Sequence, residues 1–263
     1  MEYKNLGDTA VEVPEVGLGA SQYTAGPGPL REGISAGALL LDTAESYGTE
    51  DQVGAAAVGI RSDIFIATKV SPAHFGHDDL IAAAEASLKR LGTDYIDLYQ
   101  LHQPNTEISI AETMGAMDRL VEQGKVRYVG VSNFSVAQLI EAQSVSNNKI
   151  VSNQVKYHLA DRAIEDGLLS YCQQNDVTII AYSPLGAGMG KLKAQLRHGI
   201  LEEVAHAVGK TEAQVALNWC ISKENVIAIP KSNSADRVRE NCGASGWRLS
   251  DDHMQLLDQG VSL

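Results

Sequence analysis

Short runs that are apolar at nearly every position alternate along the chain with longer stretches of helical period. The runs are ALLLD at 38 to 42, DIFIATKV at 63 to 70, YIDLYQLH at 95 to 102 and VRYVGVSNF at 126 to 134, followed by IVSNQVKYHL at 150 to 159, VTIIAYSPL at 177 to 185 and VIAIPKS at 226 to 232. A strand with one wet face alternates apolar and polar residues. These runs do not alternate, so both faces must be covered, and a parallel sheet clad in helices is expected. VPEVGLGA at 13 to 20 supplies a first strand and brings the number to eight.

The intervening segments carry one apolar stripe each. Leu80, Ala84, Leu88 and Leu91 recur at three- and four-residue steps before Gly92, and Ile110, Met114, Met117 and Val121 do so before Gly124. Ser135 opens another helix. Thr211 and Gln214 form a capping box ahead of Val215, Trp219 and Cys220, and a final helix is expected at about 251 to 259. Eight βα units predict a (β/α)8 TIM barrel of the α/β class, filling one domain over residues 1–263. The opening MEYKNLGDTAVEV, with Gly7 and Asp8 at its centre, reads as a β-hairpin at the barrel floor. An open doubly wound sheet shares this periodicity, but it usually places GxGxxG after its first strand, and VGLGASQY is not that motif.

Composition narrows the function classes. With 44% apolar and 21% charged residues the chain is a folded protein, and 263 residues suit one barrel as well as two smaller domains. A net charge of −12 repels polyphosphate and anionic lipid, so neither nucleic acid nor membrane is an expected partner. The N-terminus has no signal-like apolar run and no long apolar span follows. Cys172, Cys220 and Cys242 show no CxxC spacing, so neither a disulfide framework nor a zinc site is suggested. A cytoplasmic monomer without metal is expected.

Chemistry on an α/β barrel sits where the strands end, and these ends are polar. They carry Asp42 with Tyr47 close behind, Lys69, His102, Ser132 with Asn133, Gln154, Tyr182 with Ser183, and Lys231 with Ser232. Singly, Asp42 reads as a helix cap, Lys69 as a solvated strand end and His102 as a rim histidine. Together they form a proton-transfer unit: a lysine cation beside Tyr47 lowers the phenol pKa, Asp42 holds that cation, and His102 orients a carbonyl. Lys231, Ser232 and Arg237 place two cations and a hydroxyl beside a helix N-terminus, which makes an anion site inside an acidic protein.

In order and spacing, LLLDTAESYG, IATKV, LYQLHQP, VGVSNF, NQVKYH, AYSPLG and IPKSNSADRVREN resemble the aldo-keto reductase family, from residue 16 to about 241. The resemblance implies a barrel that reduces aldehydes and ketones with NADPH/NADP+. It implies Tyr47 as general acid, Lys69 and Asp42 as its tuning pair, and His102 as the group that orients the carbonyl. Ser132, Asn133 and Gln154 resemble the residues holding the cofactor carboxamide, Tyr182 the ring stacked on nicotinamide, and Ser183, Leu185 and Gly186 the pyrophosphate loop. Lys231, Ser232 and Arg237 match positions around a 2′-phosphate, with Glu240 and Asn241 on the adenosine. Gly19, Ala20 and Asp42 join the cofactor set from the early strands.

The chain departs from many relatives of this family at Ser21 and Gln103, where they carry tryptophans. It also ends at Leu263, soon after its last helix. An open, polar mouth and small or polar carbonyl substrates, sugar-like or dicarbonyl, are therefore expected. GAGMGK at 186 to 191 lacks the spacing of a phosphate loop and reads as a substrate or cofactor loop. His74, His77 and Asp78 read as hydrated loop residues rather than metal ligands, and Trp219 as core. Two other readings stay open: a cofactor-binding regulatory subunit resembling channel-associated β-subunits, and a Schiff-base aldolase with Lys69 as nucleophile.

Overall fold

The computed structural model describes residues 1–260, so the last three positions of the expected domain lie outside the described residues. A two-stranded antiparallel ribbon, β1 (Tyr3–Asn5) with β2 (Glu12–Pro14), comes first. Eight parallel strands follow in spatial order equal to chain order. They are β3 (Leu18–Gly19), β4 (Leu40–Asp42), β5 (Phe65–Val70), β6 (Ile96–Leu101), β7 (Val126–Ser132), β8 (Ile150–Lys156), β9 (Thr178–Tyr182) and β10 (Val226–Ala228). A bridge from Val16 to Ala228 joins the first strand region to the last, with Gly17 N–H donating to Ala228 O at 2.8 Å and Gly19 N–H to Pro230 O at 3.1 Å. The sheet closes into the expected (β/α)8 barrel.

Burial explains the unbroken apolar runs. Every residue of β5 and β6 is buried, because helices cover the outside of the barrel and facing strands fill its inside. The runs overreach at their ends. Val13 and Pro14 belong to the ribbon, and the last three strands stop at Lys156, Tyr182 and Ala228 rather than at 159, 185 and 232. Pro184 and Pro230 have no N–H to give a neighbouring strand, so the chain leaves the sheet before them.

The outer layer comprises α1 (Pro27–Ser35), α2 (Glu50–Ala57), α3 (His77–Leu91), α4 (Ile110–Glu122), α5 (Val136–Ser144), α6 (Leu168–Gln174), α7 (Met189–Lys193), α8 (Ile200–Val208), α9 (Glu212–Ile221), α10 (Ala235–Cys242) and α11 (Asp251–Asp258). The boundary signals act as read. Gly92 ends α3 in the left-handed conformation, and capping boxes Ser135–Gln138 and Thr211–Gln214 open α5 and α9. Trp219 is fully buried and donates from Nε1 to Asp258 Oδ1 at 2.8 Å. The GAGMGK stretch differs from expectation: Met189–Lys193 is helical, and three helices rather than one separate β9 from β10. None of the described helices is long and apolar enough to cross a membrane.

The ribbon seals one end of the barrel. Leu6 and Val13 are buried in a cluster with Leu40, Phe65, Leu98, Val151, Ile180 and Ile227. Its turn passes so close to the barrel that a Cβ at Gly7, whose φ is +58°, would stand 2.8 Å from Asp176 O. Lys4 Nζ donates to the carbonyls of Ile221, Lys223 and Val226, tying the ribbon to the end of α9, the loop after it and the first residue of β10. Chemistry is left to the opposite end.

Candidate active site

Asp42 is the last residue of β4, and the chain then turns sharply through a 3-10 segment, Glu45–Tyr47, that Gly48 closes at φ +64°. Several bonds hold this turn. Glu45 Oε1 accepts from the Ser71 N–H and pairs with His74 Nδ1 at 3.0 Å, while Thr49 Oγ1 donates to Ala20 O at 3.1 Å. Tyr47 is thereby anchored to the loops after β3 and β5. Lys69 lies in β5, and His102 follows β6, its N–H bonded to Val70 O at 3.1 Å.

The four side chains meet. Lys69 Nζ donates to Asp42 Oδ1 at 2.7 Å and to Thr43 O at 2.8 Å, with both partners buried. It stands 4.9 Å from the centre of the Tyr47 ring, on its face. The Tyr47 hydroxyl lies 3.2 Å from His102 Nε2, with the two rings edge to face. Burial pulls the Lys69 ammonium below the usual lysine range, and the Asp42 charge offsets part of that. Burial and the Lys69 charge lower the His102 imidazole, so it is neutral at pH 7.

At Tyr47, burial works against the expected acidification. Its phenol is pushed above the usual range, first by burial and then by the Asp42 charge. The Lys69 cation is engaged by Asp42 and Thr43 and lies over the Tyr47 ring. Lys69 is also fully buried and absent from the cleft wall. A substrate carbonyl has no path to its amine, which removes the Schiff-base reading.

A cleft of about 1040 Å³ runs from Tyr47 and His102 across the barrel mouth to α10. Of the residues singled out in the sequence, Gly19, Asp42, Ser132, Asn133, Gln154, Tyr182, Ser183, Leu185, Lys231, Ser232, Arg237, Glu240 and Asn241 line it. Ala20 and Gly186 do not. Ala20 lies beneath, its N–H bonded to Asp42 O at 2.8 Å, and Gly186 closes a turn back to Ser183 O at 2.8 Å. Met189 and Gly190, in the stretch read as a substrate or cofactor loop, also line the cleft wall, whereas the sequence reading missed Gln22, Thr211, Glu212 and Ala213. The Thr211 capping box was a signal for this wall, since it starts a helix whose N-terminus faces the cleft.

Side chains on the wall are already oriented. Ser132 Oγ donates to Gln154 O at 2.8 Å, Asn133 Nδ2 to Ser132 Oγ at 3.0 Å, and the Tyr182 hydroxyl to Asn133 Oδ1 at 3.2 Å. Gln22, Asn133, Ser183 and Ala187 all adopt positive φ and all line the cleft, although each carries a Cβ. Such backbone is strained and tends to gather at working sites. At the far end Lys231 and Arg237 are exposed, and neither forms an ion pair among the described residues. Neighbouring Arg239, by contrast, is taken by Glu32 and Asp236. His74 and His77 turn to separate carboxylates, Glu45 and Asp78.

A closed parallel barrel with a buried ion pair, a phenol and an imidazole at one end of a long polar cleft has the layout of an α/β-barrel enzyme. Comparison with known proteins specifies the class further. The chain belongs to the aldo/keto reductase family of oxidoreductases, whose profile matches residues 29–261. It is 42% identical to Methylglyoxal reductase YeaE of Escherichia coli, over 95% of this chain and 91% of that protein. Among solved structures it is similar to the thermostable aldo-keto reductase Tm1743 in complex with the inhibitor epalrestat. That match has a TM-score of 0.92 and 43% identity, covering 98% of this chain and 99% of that one. It is also similar to an aldo-keto reductase from Klebsiella pneumoniae in complex with NADPH, with a TM-score of 0.91 and 37% identity, covering 98% and 95% of the two chains.

Proposed function

We propose that the protein is an NADPH-dependent reductase of small or polar aldehydes and ketones in which Tyr47 is the proton donor. The observation that carries this reading is the Tyr47 hydroxyl 3.2 Å from a neutral His102 at the cleft wall, with the Lys69–Asp42 pair sealed behind it. The cleft suits a dinucleotide in its donor set. It offers side-chain amides at Asn133 and Gln154, the Tyr182 ring at mid-length, and two unpaired cations at its far end.

When bound, the nicotinamide supplies hydride to the carbonyl carbon. The protein's own groups do the rest. His102 Nε2–H donates to the carbonyl oxygen and fixes its direction, and Tyr47 gives that oxygen a proton as it becomes an alkoxide. A phenol held above its usual pKa is still far more acidic than an alcohol, so the transfer runs downhill. Lys69 faces the ring left behind, where a cation stabilises the phenolate.

Lys231, Ser232 and Arg237 support the preference for NADPH over NADH, because charge-assisted bonds to a phosphate outweigh neutral ones. Arg237→Met is expected to lower kcat/KM for NADPH by about 10- to 100-fold and to leave the value for NADH nearly unchanged. Steady-state kinetics with both cofactors decide it, and equal losses for the two place Arg237 outside phosphate recognition.

The polar mouth, with Ser21, Gln22 and Gln103 beside Tyr47 and His102, supports short or hydroxylated carbonyls, as does similarity to a methylglyoxal reductase. A short dicarbonyl is expected to exceed a steroid ketone in kcat/KM. The reverse order refutes the substrate assignment, and cofactor binding without turnover of any aldehyde favours a regulatory subunit.

A further inference from the structure

Gln100 is fully buried on β6, two residues before His102 on the same side of the strand, and it stands in register with Lys69 on one side and Gly130 on the other. Its amide reaches across the barrel interior. Nε2 lies 3.4 Å from Asp42 Oδ2, and Oε1 lies 3.5 Å from Gln154 Nε2. Gln154 Nε2 donates to the same Asp42 Oδ2 at 2.7 Å. The carboxylate settles the polarity of both amides, since an ionised Asp42 accepts only and each NH2 must face it. Gln100 then turns its carbonyl to the second N–H of Gln154.

Space for this side chain is provided by Gly130. A Cβ there would stand 3.0 Å from Gln100 Cγ and 2.5 Å from Ser152 Oγ, so the missing side chain is what lets Gln100 cross toward Asp42.

We infer that Gln100 is a positioning residue that works with Asp42 to hold the Gln154 amide with its NH2 inward, leaving Oε1 as the atom Gln154 presents to the cleft for a donor such as the nicotinamide carboxamide. This rests on the NADPH reading above. Without Gln100, one inward hydrogen of Gln154 has no acceptor and only the Asp42 bond holds the NH2 inward, so the amide presents Oε1 less firmly. The expected loss is confined to the nicotinamide half of the cofactor, because Gln100 lies nowhere near Arg237 and Lys231 on the cleft wall.

The test is equilibrium binding of NADPH and of 2′,5′-ADP, which lacks the nicotinamide, to the wild-type protein and to Gln100→Leu and Gly130→Ala. Both variants are expected to bind NADPH about 3- to 10-fold more weakly, with 2′,5′-ADP affinity unchanged in both and thermal midpoint unchanged in Gln100→Leu, while the Cβ of Gly130→Ala lowers the midpoint by crowding Ser152. Unchanged NADPH affinity in Gln100→Leu overturns the inference. So does an equal loss for both ligands, which marks Gln100 as a support of the barrel rather than of one amide. If the wild-type protein itself binds no NADPH, the functional reading fails and this inference fails with it, an outcome distinct from the other two.

Discussion

Tyr47→Phe is expected to lower kcat for aldehyde reduction by about 10²- to 10⁴-fold while NADPH affinity stays within a factor of two. The substitution removes one oxygen from the cleft wall and keeps the ring that faces Lys69. His102 then still orients the substrate, but the forming alkoxide has lost its phenol donor and faces only the weakly acidic imidazole N–H. Stopped-flow turnover beside fluorescence titration of cofactor separates the two effects, and a variant with near wild-type kcat rules Tyr47 out as the donor. The pH profile adds a second check. Because burial and Asp42 raise this phenol, it keeps its proton where an acidified one would lose it. The wild-type rate is therefore expected to stay level up to about pH 9, just under the ordinary phenol value of ~10. A decline centred below pH 8 restores the view that Lys69 acidifies Tyr47.

Lys69→Met has the next largest expected effect, and it falls on stability as well as on rate. Removing the ammonium leaves the Asp42 carboxylate buried beside the two glutamine amides with no counter-charge. Breaking a buried pair from one side costs about 3 to 5 kcal/mol, which for a chain of this size lowers the thermal midpoint by roughly 10 °C. Removing both charges in Lys69→Met with Asp42→Leu is expected to recover most of that stability and none of the activity. Calorimetry on the single and double variants tests the claim. A single variant as stable as wild type shows that the pair is not what holds these strands together.

Much of the architecture was legible because it depends on local rules. The unbroken apolar runs required a doubly covered sheet, and Gly92, Ser135 and Thr211 marked helix ends through backbone geometry that acts within a few residues. Strand ends were less legible, since Val13 and Pro14 are as apolar as a barrel strand while pairing with the ribbon. The short helix at Met189–Lys193 was hidden by the glycines before it, whose low helix propensity is overridden by packing such as that of buried Leu192.

The site divides in the same way. Asp42, Tyr47 and His102 announce themselves as polar groups at strand ends, and the cations at 231 and 237 stand out in an acidic chain. Gln100 does not, because a single amide inside YIDLYQLH gives no sign of which neighbour it meets across a barrel. Nor does a sequence show how deeply Tyr47 is buried beside Asp42, and the upward direction of the phenol shift comes from those two causes. Positive φ at Gln22, Asn133, Ser183 and Ala187 is equally silent, as none is a glycine.

The order of strands in the barrel has a further implication. Asp42, Tyr47, Lys69 and His102 all come from the first half of the polypeptide, whereas the amides, the Tyr182 ring and the phosphate-facing cations come from positions 132 to 241. The groups proposed for proton delivery and for ligand grip thus sit on two halves of the chain that join at the β6–β7 pairing and again where Val16 meets Ala228. A half-length polypeptide carries an acid with nothing to reduce, or a cradle with no acid. Two such pieces regain chemistry only by docking into one ring, so turnover serves as a direct reporter of complementation between them.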